Sequence, residues 1–77
     1  GPNGIVAFGR QGAWSIDRRG RVRKSDPTGQ RWQMIGSAPG APAAITATGN
    51  GLIVALEGGR IMQSTDNGAT FDTRLTP

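Results

Sequence analysis

Short apolar runs alternate along the chain with clusters of glycine, asparagine and aspartate, and none of the runs continues long enough at helical spacing to form a helix. The pattern predicts eight strands. The first four are Ile5 to Phe8, Ala13 to Asp17, Gly20 to Ser25 and Arg31 to Ile35; the second four are Ala44 to Thr48, Leu52 to Glu57, Arg60 to Thr65 and Thr70 to Leu75. Between them fall Arg10-Gln11-Gly12, Arg19-Gly20, Gly49-Asn50-Gly51, Gly58-Gly59 and Asp66-Asn67-Gly68, where glycine or asparagine supplies the backbone conformations that tight hairpins demand.

The two sets of strands are one pattern written twice. Gly20-Arg21-Val22-Arg23-Lys24-Ser25 aligns with Gly59-Arg60-Ile61-Met62-Gln63-Ser64 at an offset of 39 residues. The same offset, without a gap, pairs Val6 with Ile45, Gly12 with Gly51, Gly29 with Gly68 and Trp32 with Phe71. The chain therefore divides into a unit at residues 5–38, a Pro/Gly/Ala linker at 39–43 and a unit at 44–77. Residues 1–4 are set aside as a lead-in that begins with Gly1-Pro2, the usual remnant of a purification protease site.

Four strands at a period near 40 residues match one blade of a β-propeller better than any other repeat class, so the expected fold is all-β with two four-stranded blades. Leu52-Ile53-Val54-Ala55-Leu56 is apolar on both faces, as a strand sandwiched between neighbouring blades should be. Its counterpart Ala13-Trp14-Ser15-Ile16-Asp17 alternates, which gives the first unit one wetter face.

Composition narrows the chemistry. The 77 residues contain no cysteine and no histidine, which removes disulfide staples, thiolate metal sites, the commonest zinc ligand and the commonest general base. No metal site or cofactor is expected, and self-contained catalysis is not expected either. Val, Ile, Leu and Phe make up only 14 of the 77 residues, below the roughly 20% that marks a weak core, while the net charge of +4 is too small for a disordered chain. A core completed by something else is the expectation that fits both. No apolar run approaches the roughly 18 residues of a membrane span, so a soluble protein without membrane contact is expected.

Ser64-Thr65-Asp66-Asn67-Gly68-Ala69-Thr70-Phe71 matches, over all eight positions, the pattern S-x-D-x-G-x-T-[FW]. This run resembles the Asp-box of the BNR repeats, found in sialidases, sortilin-type receptors and photosystem II assembly factors. The resemblance implies a hairpin turn between the third and fourth strands of a propeller blade, with Ser64, Asp66, Gly68, Thr70 and Phe71 as a structural staple rather than a ligand site. Physically, a carboxylate at Asp66 can accept backbone N–H bonds within the turn, and the aromatic can turn inward to pack. Ser25-Asp26-Pro27-Thr28-Gly29-Gln30-Arg31-Trp32 is a degenerate version, with Pro27 in place of the aspartate and Asp26 one position early. Trp32, the aromatic of that run, is read as core. The stretch from Ala13 to Val22 is also faintly similar to a tectonin repeat. Sialidase chemistry would need a tyrosine nucleophile, and the chain has no tyrosine.

Two groups of residues stand out as candidate sites. Trp14, Ser15 and Asp17 on one strand form an amphipathic set of the kind that binds polyols, against the alternative that Trp14 packs in the core. Arg18, Arg19, Arg21 and Arg23 form a candidate anion patch: residues 1–38 hold seven cations and two carboxylates, and residues 39–77 two cations and three carboxylates. No aromatic platform interleaves these charges, so nucleic acid is not the expected partner and a solvated hairpin edge accounts for them. The expected function is a non-catalytic repeat module for assembly and for protein or ligand binding, its principal partner a further copy of itself. A trimer making six blades is favoured, since propellers close at about four to eight blades. A small carbohydrate-binding lectin with glycan sites at blade junctions is the alternative, and an inactive fragment of a larger BNR-repeat protein the third reading.

Overall fold

The computed structural model describes residues 4–77; Gly1-Pro2, set aside above as part of a lead-in, lies outside them. Eight strands follow one another, β1 (Ile5–Gly9), β2 (Gly12–Ile16), β3 (Arg21–Ser25), β4 (Trp32–Ser37), β5 (Pro42–Ala47), β6 (Leu52–Leu56), β7 (Ile61–Ser64) and β8 (Asp72–Leu75). They form two antiparallel four-stranded sheets with strands in chain order, β1-β2-β3-β4 and β5-β6-β7-β8. Among the described residues there is no helix, and hence none long and apolar enough to cross a membrane.

Where strand limits differ from the sequence expectation, backbone chemistry explains it. Gly20 adopts φ 85° and closes the β2–β3 turn instead of opening β3. β5 begins at Pro42, inside the stretch read as linker; β5 is an edge strand, where a missing N–H removes no ladder bond. Both fourth strands carry a register shift opposite the start of the third, between Val22 and Arg23 and between Ile61 and Met62. The repeat thus extends to its irregularities.

Strand registers sort the side chains into faces. In the first sheet the cross-strand row Ala7–Trp14–Lys24–Gln33 lies on one face and the row Val6–Ser15–Arg23–Met34 on the other. In the second sheet the row Ile45–Val54–Met62–Thr73 lies on one face and the row Thr46–Ile53–Gln63–Asp72 on the other. A single core joins the sheets: Ala7, Trp14, Ile16 and Val22 from the first are clustered with Leu52, Val54, Leu56 and Met62 from the second. β1 lies against β5, so the first strands of the two sheets are neighbours.

Each sheet therefore has one covered face and one open face. β6, expected to be covered on both sides, buries Leu52, Val54 and Leu56 and leaves Ile53 and Ala55 half-buried. Trp32, expected in the core, is 44% exposed, because none of the described residues packs over its face of the first sheet.

Candidate functional site

The β7–β8 turn is built around one carboxylate and one hydroxyl. Asp66 accepts the N–H of Thr70 at 2.9 Å, the Thr70 hydroxyl and the Ser64 hydroxyl at 2.8 Å. Ser64 is buried, and its Oγ in turn accepts the Gly68 N–H at 2.8 Å. The Thr70 hydroxyl, the Thr70 N–H and the Ser64 hydroxyl all favour the charged form, and they hold the Asp66 carboxyl at about 2. The turn passes through Asn67 at φ 62° and Gly68 at φ 95°. A Cβ on Gly68 would sit 3.1 Å from Ile35 and 3.3 Å from Trp14, so glycine answers here both to backbone conformation and to close packing.

That packing is where the turn meets the first sheet. The indole Nε1 of Trp14 donates to the Asn67 carbonyl at 2.9 Å. Gly36 on β4 comes so close that a Cβ there would collide with the carbonyl oxygens of Gly68 and Ala69. The β7–β8 turn thus anchors one sheet to the other, and Phe71 packs partly buried against the shared core. Asn67 stands at a free position of the motif, and its role rests on its backbone carbonyl; the only sequence trace of it is the preference of asparagine for positive φ.

In the β3–β4 turn Asp26 does the work of Asp66 from one position earlier. Its Oδ1 accepts the Thr28 N–H at 3.1 Å, the Thr28 hydroxyl at 2.7 Å and the Gln30 N–H at 3.1 Å. The Thr28 hydroxyl is the main cause that lowers its pKa. Ser25, the partner of Ser64 in the repeat, turns instead to accept the Ala13 N–H at 2.8 Å. Among the described residues no hydroxyl relay links this turn to a neighbouring sheet, and the space around Gly29 is open.

The candidate polyol residues divide. Trp14 and Ser15 are 2% and 3% exposed, Trp14 facing the second sheet and Ser15 the opposite side. The Lys24 ammonium lies 5.4 Å from the centre of the Trp14 ring, on the same face. Asp17 is engaged with the basic hairpin: its Oδ1 accepts the N–H groups of Arg19 at 2.9 Å and Arg21 at 3.0 Å, and its Oδ2 pairs with Arg21 Nε at 2.7 Å and Arg23 Nη1 at 3.2 Å. Desolvation opposes its charge, but the Arg21 and Arg23 side chains and the two backbone donors outweigh it and hold its carboxyl well below the usual range. Of the four arginines, Arg21 and Arg23 are thus partly neutralised, while Arg18 and Arg19 project from the turn with exposed side chains.

The open face of the first sheet carries the exposed apolar side chains Val6, Phe8, Trp32 and Met34, with Phe8 82% exposed. Two clefts adjoin it. One of about 490 Å³ is lined by Lys24, Ser25, Asp26, Arg31, Trp32 and Gln33. Another of about 200 Å³ is lined by Phe8, Ala13, Ser25, Thr28 and Gly29, among others. Among the described residues no cluster of acidic side chains could hold a metal ion. Compared with protein families, with characterised proteins and with solved structures, the chain matches none.

Proposed function

We propose that the chain is a non-catalytic β-propeller repeat module, two blades whose work is assembly and the binding of protein or ligand, completed by further copies of the same chain. One observation carries this reading. The offset of 39 residues maps Ile45, Leu52, Val54 and Met62, on the covered face of the second sheet, onto Val6, Ala13, Ser15 and Arg23, on the open face of the first. The two sheets are therefore stacked front to back, as successive members of a repeating series, with one face of each left open. Two blades are fewer than the roughly four at which propellers close, and an apolar face left in water costs about 25 cal/mol per Å². Three copies, giving six blades in a cyclic ring, are the favoured closure.

Light scattering behind a sizing column tests this. A discrete multiple of the 8.0 kDa chain mass is expected; a stable single-chain species at micromolar concentration overturns it.

A second reading, a small carbohydrate-binding lectin, draws on the half-exposed Trp32 in a cleft with Arg31, Asp26 and Gln33, an aromatic surface rimmed by polar groups. A glycan array read with and without Trp32→Ala decides it: retention of a sugar by the parent chain alone supports the lectin, and no retention removes it.

A further inference from the structure

The internal junction supplies a template for what the open faces could receive. Trp14 projects from the first sheet into the second at Asn67 and Gly68, and Gly9 beside it comes within 3.2 Å of Ala47, measured from a Cβ built on the glycine. Shifted by 39 residues, the place of Ala47 is taken by Phe8, that of Leu52 by Ala13, that of Ser64 by Ser25, and those of Asn67 and Gly68 by Thr28 and Gly29. These five residues line the 200 Å³ cleft on the open face of the first sheet. The cleft is the vacant counterpart of the socket that Trp14 fills.

Resting on the assembly reading above, we infer that this cleft receives Ile53 of a second copy, so that the open face of the second sheet in one chain covers the open face of the first sheet in the next. Ile53 is the counterpart of Trp14 and stands half-buried on an open face with Ala55 and Ile61. The volumes compensate. Trp14 enters a socket with Ala47 at its edge, whereas the smaller Ile53 enters one with Phe8 at its edge, so a large and a small side chain meet at both junctions.

Charge selects the same pairing. The first unit holds seven cations against two carboxylates, the second two cations against three carboxylates. A front-to-back contact sets unlike charges together, and a contact between two first sheets would set like charges together. Front-to-back contacts are heterologous and leave no apolar face over when they close into a ring.

Two single variants refolded together from denaturant test the register. Gly9 faces Ala47 at the internal junction, and their counterparts across the proposed junction are Thr48 of one chain and Phe8 of the next. The Cβ separation at the internal pair is near the roughly 3.5 to 4.5 Å of a disulfide. Thr48 Oγ1 is buried and makes no hydrogen bond among the described residues, so its replacement removes none. With no native cysteine to interfere, a mixture of Phe8→Cys and Thr48→Cys chains should form a disulfide-linked pair under mild oxidation, while each variant alone should stay single on a denaturing gel.

Equal cross-linking by Phe8→Cys alone overturns the inference in favour of a face-to-face dimer. Persistence of the oligomer without the mixed cross-link overturns it as well, with the assembly reading intact. A parent chain that is a single-chain species fails both. Phe8→Arg gives a second arm that folding cannot confound, since Phe8 is 82% exposed within its own chain. Its oligomer peak should be lost at unchanged circular dichroism, and an unchanged peak counts against the proposal.

Discussion

The indole N–H of Trp14 donates to the backbone carbonyl of Asn67, 53 residues later in the chain and 2.9 Å away. This bond ties an inner strand of one sheet, β2, to the β7–β8 turn of the other. The turn is therefore a joint between repeats as well as a hairpin.

Trp14 is the residue on which that joint depends most. Trp14→Ala should lower stability by about 3 to 5 kcal/mol, the usual range for removing a large aromatic from a core, which is comparable with the whole stability of a small domain. Trp14→Phe keeps most of the packing but leaves the Asn67 carbonyl without its donor, at a cost of about 1 to 3 kcal/mol. Urea denaturation followed by circular dichroism should rank parent, Phe and Ala in that order. A Phe variant as weak as Ala would mean that the hydrogen bond outweighs the packing.

Asp66 makes the fold sensitive to acid. Its pKa falls from 3.8 to about 2 on folding, so the folded state prefers the ionised form. The stabilisation is present above the ordinary carboxylate value and is lost as pH drops through the folded one. Between about pH 4 and pH 2 the parent should lose stability that Asp66→Asn lacks from the start, and their denaturant midpoints should converge. At neutral pH Asp66→Asn should also be weaker than Asp26→Asn. Both carboxylates clamp a turn, but only Asp66 also holds the Ser64 hydroxyl that fixes Gly68 against Trp14. Equal losses at pH 7 would remove the distinction between the two turns.

Gly36→Ala should push the sheets apart. The added Cβ meets two backbone carbonyls that cannot rotate away, and such overpacking costs about 1 to 3 kcal/mol. Gly40→Ala is the control, since its Cβ would meet only the end of the Leu56 side chain at 3.7 Å. Thermal melts should show a loss for Gly36→Ala and little change for Gly40→Ala.

For the basic hairpin, Arg18→Ala and Arg19→Ala should each reduce retention on heparin more than Arg23→Ala does, because Arg23 is already paired with Asp17. Elution should move steeply with salt, as expected for charge neutralisation without sequence reading. Binding that resists salt would point instead to a specific nucleic-acid site.

Much of the architecture was legible in the residues because the hydrophobic pattern repeats strand for strand. The strand order, the two four-stranded sheets and the position of the β7–β8 turn all follow from it. Trp32 misled because an aromatic at a repeat position is inward-facing only if something covers that face, and none of the described residues does. Asp17, grouped with Trp14 and Ser15 as a polyol-binding set, is engaged instead by a partnership that sequence spacing conceals: Arg21 and Arg23 return beside it across the hairpin on β3. Asp26 stood out of frame with the motif, yet a carboxylate beside a turn can reach the same donors from either of two positions.

The close approach at Gly36 has a counterpart in the repeat, and it is Leu75, paired with Ile61 as Gly36 is paired with Val22. A leucine cannot lie flush against carbonyl oxygens where a glycine does. Copies joined in a circle would therefore meet through a tight seam inside each chain and a splayed seam between chains, in strict alternation. The period of such a circle is the whole chain, so a molecule lodged in the wider seams would bind once per copy and leave the seams within each chain empty.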